Sequence, residues 1–337
     1  MTRLDTDTAI ADETPAACDG PRLLLMEARS VPLGGVRAME VHRALPQRDL
    51  PLVGAWCFLD RFGPQRTRMR VEPHPHIGLQ TVTWPFLGEV RHRDSVGSDV
   101  VVRRGALNIM TSGAGIAHSE YSVGDEPVPL DVLQLWIALP ESRRHGPPAF
   151  ERHEDLPHVE LDVVGGAAHA AVIVGEFAGA VSPANVYTPI VGVELHLAAG
   201  TRVEVPLRPE WEHALVGIDG EVSVAPSVAA AAPSPGDASD AVTVADMHLL
   251  YLGTRRTSIT LTSEIDATVF LMGGEPFEDD IVMWWNFVGR THEEIADARA
   301  AWEDGAERFG HVVDHGDERV PAPPLPGVRL ARRRRRI

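Results

Sequence analysis

Two pairs of potential metal ligands stand out in the first half of the sequence. His74 and His76 lie in "PHPHIGLQTVTW", and His118 and Glu120 lie further along in "SGAGIAHSEYS". Residues two apart on a strand point to the same face of a sheet, so each pair would present both side chains together. Two neighbouring strands of this kind would bring three imidazoles and one carboxylate together inside a barrel.

That donor set suits a divalent transition metal. Imidazole and carboxylate ligands bind Fe(II), Mn(II), Ni(II), Cu(II) or Zn(II), and four protein ligands on an octahedral metal leave two positions open. Without a cation, four such groups inside a small barrel would be costly to desolvate. Gly113 and Gly115 allow a tight bend just before His118. Either pair alone would more often be incidental, but together they predict one mononuclear metal site.

The elements that must position these residues are short strands. Runs rich in Val, Leu, Ile and Thr are broken by 30 glycines and 27 prolines, a pattern typical of β-sandwiches and barrels. The stretches "TVTWPFLGEVRHRD" and "HALVGIDGEVSV" each place a Gly-Glu-Val turn between two strands, which indicates an internal repeat. We therefore expect an all-β fold of two tandem, jelly-roll-like β-barrels with a short C-terminal helix.

Composition predicts where these units begin and end. The helix is expected in "RTHEEIADARAAWEDG", with Thr291 as N-cap and Gly305 as the stop. The five arginines at 332–336 are expected to be a solvated end rather than a contact surface for an anionic partner. The predicted organisation is a flexible tail at 1–20, a metal-binding barrel at 21–140, a connector at 141–167, a metal-free barrel at 168–275 with a disordered insertion at about 225–241, a segment with the helix at 276–310, and a Pro/Arg-rich tail at 311–337.

Charge and cysteine content exclude several classes of function. The 337 residues carry a formal net charge of -17 and include no lysine, so nucleic acid and anionic membranes are not favoured partners. Of the two cysteines, Cys18 falls in the predicted tail, which argues against a disulfide framework and for a reducing cytosol. The N-terminus has no apolar run of a signal peptide, and no stretch is long enough to span a membrane. We expect a cytoplasmic protein.

The order of motifs resembles the pirin family of the cupin superfamily. "HPHIGLQTVTW", "GEVRHRDSVG" and "GALNIMTSGAGIAHSE" match that family's His-Pro-His-x-Gly, His-x-Asp-Ser and Met-Thr-Ala-Gly-x-Gly-Ile-x-His-Ser-Glu patterns. "CFLDRFGP", "LQLWIALP" and "GGEPFEDDIV" extend the similarity over roughly residues 22–309. The resemblance implies a bicupin with one metal in the N-terminal barrel. The ligands implied are His74, His76, His118 and Glu120.

The resemblance also implies candidate functions. Iron is the usual metal in pirins, so Fe(II) is favoured, with Mn, Ni, Cu and Zn as alternatives. One candidate is a dioxygenase of the quercetin 2,3-dioxygenase type, acting on a flavonol-like aromatic substrate and O2, with Glu120 as ligand and base. The other is a regulatory binding protein whose metal site modulates docking to a transcription factor or metabolic enzyme. A structural zinc is least favoured, because such sites are usually closed and cysteine-rich.

Several residues depart from the family pattern or fall outside it. Gln80 stands where many cupins have glutamate and is expected to form hydrogen bonds near the site, and Trp84 replaces the usual tyrosine. "MWWNFVGR" (283–290) is unusual and is expected to border the pocket. His92 is expected on a turn, at the surface or supporting the ligands. Three isolated histidines of the second half are expected to be structural or exposed: His196, His213 and His248.

Overall fold

The computed structural model describes residues 20–33, 39–226, 241–333 and 335–337. Most of the predicted N-terminal tail, with Cys18, and most of the predicted insertion lie outside these ranges, as does Arg334. The strands of the first half are β1 (Pro21–Glu27), β2 (Arg29–Leu33), β3 (Met39–Leu45), β4 (Trp56–Thr67), β5 (Arg70–His76), β6 (Leu79–Leu87), β7 (Glu89–Asp94), β8 (Asp99–Arg103), β9 (Leu107–Thr111), β10 (Ile116–Ser122), β11 (Val128–Ala138) and β12 (Ala149–His153).

The second half adds further strands and the one α-helix of the described residues. The strands are β13 (His158–Glu160), β14 (Val163–Val164), β15 (Ala168–Phe177), β16 (Ala180–Val181), β17 (Ile190–Leu197), β18 (Thr201–Pro206), β19 (Glu212–Asp219), β20 (Val222–Pro226), β21 (Val242–Val244), β22 (His248–Gly253), β23 (Ser258–Ser263), β24 (Ala267–Gly274), β25 (Val282–Trp284) and β26 (Phe287–Gly289). Helix α1 (His292–Glu303) and a 3₁₀ turn (Glu307–Phe309) follow. No helix in the described ranges has the length and hydropathy needed to cross a bilayer.

Two barrels form, as predicted. The first consists of a seven-stranded sheet, in the order β12-β9-β6-β11-β4-β3-β2, and a four-stranded sheet, in the order β5-β10-β7-β8. The second consists of an eight-stranded sheet, in the order β1-β22-β19-β24-β17-β15-β13 with β16 beside β15, and a five-stranded sheet, in the order β14-β18-β23-β20-β21. The pairing of β25 with β26 makes a separate hairpin.

Strand alternation divides the side chains of the first barrel between two cores. On β6 and β11, Val82, Leu133 and Leu135 point outward and join a core shared with residues of the second barrel such as Ile173 and Phe270. The alternate residues of the same strands point into the first barrel, because successive side chains of a strand lie on opposite faces. The large sheets of the two barrels therefore pack face to face over an apolar core.

The structure differs from the predicted boundaries at both ends of the first barrel. β1 was expected in that barrel but pairs antiparallel with β22 of the second. Its Leu23 packs against the core of the second barrel, a contact with residues remote in the chain. β12 falls within the predicted connector and pairs with β9. The predicted helix is confirmed: Thr291 caps it by accepting from the Glu294 amide, and Gly305 follows it with a positive φ of 68°.

The C-terminal arginines are only partly solvated, contrary to the sequence-based expectation: Arg332 and Arg336 are exposed, whereas Arg333 and Arg335 are half-buried. Arg335 forms an ion pair with Glu212, whose side chain is 0% exposed, and donates to the Leu52 carbonyl. The Arg333 amide donates to the Ile281 carbonyl, and the Arg336 amide donates to the Asp49 carbonyl. A buried carboxylate supplied by a remote strand holds this segment, and local composition carries no signal of that partner.

Candidate metal centre

The four residues predicted to bind a metal lie on two paired strands inside the first barrel. His74 and His76 end β5, His118 and Glu120 lie on β10, and His118 is the register partner of His74. All four are between 1% and 7% exposed. Their ligand atoms fall in two overlapping groups, within each of which all atoms lie within 4.8 Å of one another. The groups are His74–His76–His118 and His92–His118–Glu120.

Hydrogen bonds determine which ring nitrogen His74 and His76 offer. Nδ1 of His74 lies 2.9 Å from the Glu72 carbonyl oxygen, and Nδ1 of His76 lies 3.0 Å from the Asn286 carbonyl oxygen. A carbonyl oxygen can only accept, so each Nδ1 carries the hydrogen and each Nε2 keeps a lone pair. The backbone thus presents two unprotonated nitrogens to the barrel interior.

A second chain of hydrogen bonds gives His118 the same tautomer. Asp94 Oδ2 lies 3.0 Å from His92 Nε2, so this nitrogen donates and Nδ1 of His92 accepts. His118 Nδ1 lies 3.3 Å from that nitrogen and therefore donates to it, which leaves the His118 Nε2 lone pair free. His92 lies within β7 and is 3% exposed, so the expected turn or surface position was wrong, whereas its contact with His118 agrees with the alternative that it supports a ligand.

This arrangement fits a bound cation. The lone pairs of His76 Nε2 and His118 Nε2 face each other at 3.0 Å, which is repulsive unless a positive charge lies beside them. Burial lowers the pKa of His74 to about 4 and lowers the pKa values of His76 and His118 well below the ordinary value, so all three rings are neutral ligands. Burial also raises the pKa of Glu120 to about 7, opposed by the Thr83 hydroxyl. A nearby cation would favour its carboxylate form.

Aromatic rings line the interior around these ligands. The Trp136 ring lies 5.2 Å from that of His76 and stacks on Phe58 at 4.1 Å between centroids. On the other side, Phe150 stacks on His92 at 4.6 Å. Trp136 belongs to the motif "LQLWIALP", which carried no predicted role, and Phe150 was not predicted. Phe150 is the register partner of Met110, a pairing that no pattern in the sequence indicates.

The unusual segment 283–290 borders the site, as expected. It forms the β25–β26 hairpin, whose Asn286 carbonyl holds His76. The Val288 amide also donates to the Ile77 carbonyl, so the hairpin is fixed to the end of β5. The contact that matters here is made by backbone, which explains why the side-chain identities of this segment could not reveal it.

Gln80 and Trp84 do not lie at the site, so the expected position of Gln80 was wrong. Both belong to the outward face of β6: Gln80 is paired in register with Ile137 of the inter-barrel core. Its amide nitrogen donates to the Thr111 hydroxyl and the Asn185 carbonyl at 3.0 Å each. Trp84 Nε1 donates to Glu194 of the second barrel at 2.6 Å, so the replacement of tyrosine by tryptophan serves the junction between the barrels.

The isolated histidines of the second barrel differ in burial. His213 is buried at 2% exposure, whereas His196 and His248 are partly exposed. Among the described residues, the third group of potential ligands is Glu72, His315 and Glu318, so none of the three groups includes these histidines. Among the described residues, the groups of potential metal ligands therefore lie in the first barrel or, with His315 and Glu318, in the C-terminal segment, where His315 contacts Ser119 and Tyr121 of that barrel.

Comparisons with known proteins agree with this geometry. The family model described as Pirin matches residues 38–137, and the model described as Pirin C-terminal cupin domain matches residues 192–310. A relative from Pseudomonas aeruginosa named "Putative quercetin 2,3-dioxygenase" is 40% identical over 303 residues, which cover 89% of each chain. A pirin-like protein from Caulobacter vibrioides is 33% identical over 316 residues, which cover 89% of this chain and 99% of that protein.

A solved structure extends the similarity to three dimensions. The crystal structure of quercetin 2,3-dioxygenase from Acinetobacter baumannii superposes with a TM-score of 0.80 at 37% identity. The match covers 91% of this chain and 97% of the other.

Proposed function

This chain belongs to the pirin family, and from that premise we propose that it is a metal-dependent dioxygenase of the quercetin 2,3-dioxygenase type. The observation that carries the proposal is the buried His and Glu cluster facing aromatic rings inside the first barrel. Such an interior suits a flat aromatic substrate. The names of the relatives from Pseudomonas and Acinetobacter support a flavonol as that substrate.

We propose that one divalent metal binds to His74, His76, His118 and Glu120. Fe(II) is the favoured metal, and Mn, Ni, Cu and Zn are alternatives that the same donors accept. When bound, the metal would supply a Lewis-acidic position for the flavonol hydroxyl and a redox-active partner for O2. The protein residues supply the rest: the three Nε2 lone pairs, held by hydrogen bonds on Nδ1, and the exclusion of bulk water by burial.

Glu120 has the properties of a general base in addition to those of a ligand. Its carboxyl is buried beside the other proposed ligands, and a bound cation would hold it in the carboxylate form that a base requires. Its proposed role is to take the proton of the substrate hydroxyl as that oxygen approaches the metal. The nearby Thr83 hydroxyl lowers the pKa of this carboxyl, which favours its charged form.

The regulatory alternative has less support from the site. A metal that tunes docking onto a transcription factor or metabolic enzyme would favour an exposed patch beside the ligands. The proposed ligands are instead buried, between 1% and 7% exposed. A buried site with aromatic walls favours the enzyme.

The test combines metal content with turnover. Purified protein is expected to contain close to one metal per chain and to consume O2 in the presence of quercetin. His76→Ala and Glu120→Ala should lose metal and activity together, whereas His196→Ala, which removes a histidine outside the site, should retain both. If the parent protein binds no metal, the site is wrong; if it binds metal but consumes no flavonol with any of the metals, the regulatory alternative is favoured.

A further inference from the structure

One buried amide in the first barrel has no partner in the protein. Asn108 on β9 is 2% exposed, and neither its Nδ2 nor its Oδ1 has a hydrogen-bond partner. Buried polar groups in native proteins are nearly always hydrogen-bonded, because an unmade bond carries the full cost of desolvation. A fully unpaired carboxamide in a packed barrel therefore indicates a group that binds something the protein itself does not supply.

The register of the strands places this amide on the wall opposite the proposed ligands. Asn108 is the partner of Thr83 on β6, which is the partner of Gln134 on β11. Leu107 and Ile109, on either side of it, join the inter-barrel core, so Asn108 points into the first barrel. Thr83 is also the residue whose hydroxyl favours the charged form of Glu120. The amide is thus one strand away from Thr83, whose hydroxyl donates to Gln134 Oε1 at 3.0 Å on the following strand.

An arginine lies beside Asn108 on the neighbouring strand. Arg152 on β12 is the register partner of Asn108 on its other side; its guanidinium forms an ion pair with Glu154, and its buried Nε has no partner. Phe150, two residues earlier on the same face, stacks on His92. Together these residues offer donors from Asn108 and Arg152, an acceptor from Asn108, and an aromatic face beside the site.

We infer that Asn108, assisted by Arg152, is a specificity-determining contact that binds a ring hydroxyl of an aromatic substrate held at the metal. A hydroxyl both donates and accepts, which matches the two unpaired ends of the carboxamide. The inference rests on the proposed function and adds to it a preference for polyhydroxylated over sparsely hydroxylated rings. A site built to bind a hydroxyl rejects the analogue that lacks it, because the buried polar group is then left unpaired.

The first experiment compares Asn108→Leu with Gln80→Leu. Gln80 is the control: a buried carboxamide on the adjacent strand that points away from the site, whose Nε2 makes two hydrogen bonds within the protein while its Oε1 has no partner. Gln80→Leu should lower the Tm by about 2–4 °C, because it removes those bonds. Asn108→Leu should leave the Tm unchanged or raise it. A Tm loss as large as that of Gln80→Leu would mean that the amide is satisfied within the protein, which overturns the inference.

The second experiment measures binding to the metal-loaded protein without O2. Quercetin and 3-hydroxyflavone share the hydroxyl and keto oxygens that would face the metal, but 3-hydroxyflavone lacks the other ring hydroxyls. Asn108→Leu should weaken quercetin binding on the order of tenfold and leave 3-hydroxyflavone unchanged. Arg152→Met, at a half-buried edge position, should weaken quercetin in the same selective way.

Other outcomes of the binding experiment identify what has failed. If the parent protein binds quercetin and Asn108→Leu binds it equally well, the amide holds only water, and the inference fails while the proposed function stands. An equal loss of affinity for both flavonols would show that Asn108 acts on the part of the molecule that the two share. That outcome would also overturn the proposed ring-hydroxyl contact. If the metal-loaded parent binds neither flavonol, the proposed function itself fails, and the inference fails with it.

Discussion

At the scale of single residues, the histidines of the site depend on groups that contact no substrate. The Glu72 and Asn286 carbonyls and the Asp94–His92 pair each hold an Nδ1 hydrogen, so that each Nε2 is free. Partners of this kind orient metal ligands and raise their basicity. Asp94 is itself held by the amides of Val96 and Ser98. The tautomer of His118 is therefore determined two side chains away from its Nε2, the nitrogen proposed to bind the metal.

Asp94→Asn is predicted to lower metal affinity by about 10- to 100-fold while leaving all four proposed ligands in place. The amide is nearly isosteric but removes the negative charge that fixes the donor nitrogen of His92. The measurement is a metal titration against a competing chelator. Asp99→Asn, on the adjacent strand β8 in an exposed pair with Arg91, is the control and should retain parental affinity. Equal affinities for the two variants would contradict this account of His118.

His213 is predicted to make stability depend on acid pH. Burial lowers its pKa to about 4, against an ordinary value of about 6.5 in the unfolded chain. Above pH 6.5 neither state is protonated; as the pH falls from 6.5 to 4 only the unfolded chain gains the proton, so stability falls. The loss from this residue is about 3 kcal/mol.

The check for His213 is the free energy of unfolding of parent and His213→Gln proteins in urea at pH 7.0, 5.5 and 4.5. The difference between the two proteins should shrink as the pH falls, because only the parent carries this acid-sensitive term. Other buried histidines titrate in both proteins and cancel in the comparison. A difference that stays constant with pH would show that His213 keeps an ordinary pKa.

At the scale of elements, a short connection couples the ligand strand to the hairpin. Gly78 links β5 to β6 with a positive φ of 68°, and a Cβ there would lie 2.0 Å from the Val288 carbonyl oxygen. The backbone can approach so closely only at glycine. The same contact region holds the Asn286 carbonyl against His76. The position of one ligand thus depends on how β25–β26 packs on the end of β5.

Gly78→Ala is predicted to cost more than about 2 kcal/mol of stability and to weaken metal binding as well, because the hairpin must move away from His76. Gly97→Ala is a control for backbone strain alone: its φ is also positive, at 100°, but a Cβ there meets nothing within 4 Å. This control should lose about 1 kcal/mol and keep its metal affinity. Urea unfolding measures the loss of stability, and chelator competition measures the metal affinity. A Gly78→Ala variant with unchanged metal affinity would show that the hairpin does not position His76.

At the scale of the whole molecule, polar contacts between distant segments supplement the apolar core that joins the barrels. Arg61 of the first barrel pairs with Asp131 at 2.7 Å and donates to the Ile218 carbonyl of the second. The buried Glu212 of the second barrel accepts from the Gly54 amide at 2.9 Å and from Arg335 at 2.6 Å. The C-terminal segment therefore contacts both barrels and neutralises a carboxylate at their junction.

Arg335→Ala is predicted to destabilise the protein by about 3–5 kcal/mol, because it leaves the Glu212 carboxylate buried without its cation. Arg332→Ala removes an arginine of the same segment that is 52% exposed and lies 3.6 Å from Asp280, so it should cost less than about 1 kcal/mol. Urea unfolding of both variants measures the difference. Two variants of equal stability would show that the C-terminal segment does not hold the barrels together.

The sequence by itself determined the elements of this molecule and the composition of its candidate site. The all-β architecture, the capped helix and the shared face within each pair, His74 with His76 and His118 with Glu120, follow from local regularities, because strand alternation and capping act over a few residues. Tertiary structure alone decided which groups surround them. The Asn286 carbonyl on His76, the unpaired amide of Asn108 and the burial of Arg335 against Glu212 each join or separate residues remote in the chain. Packing sets those distances, and no local pattern encodes them.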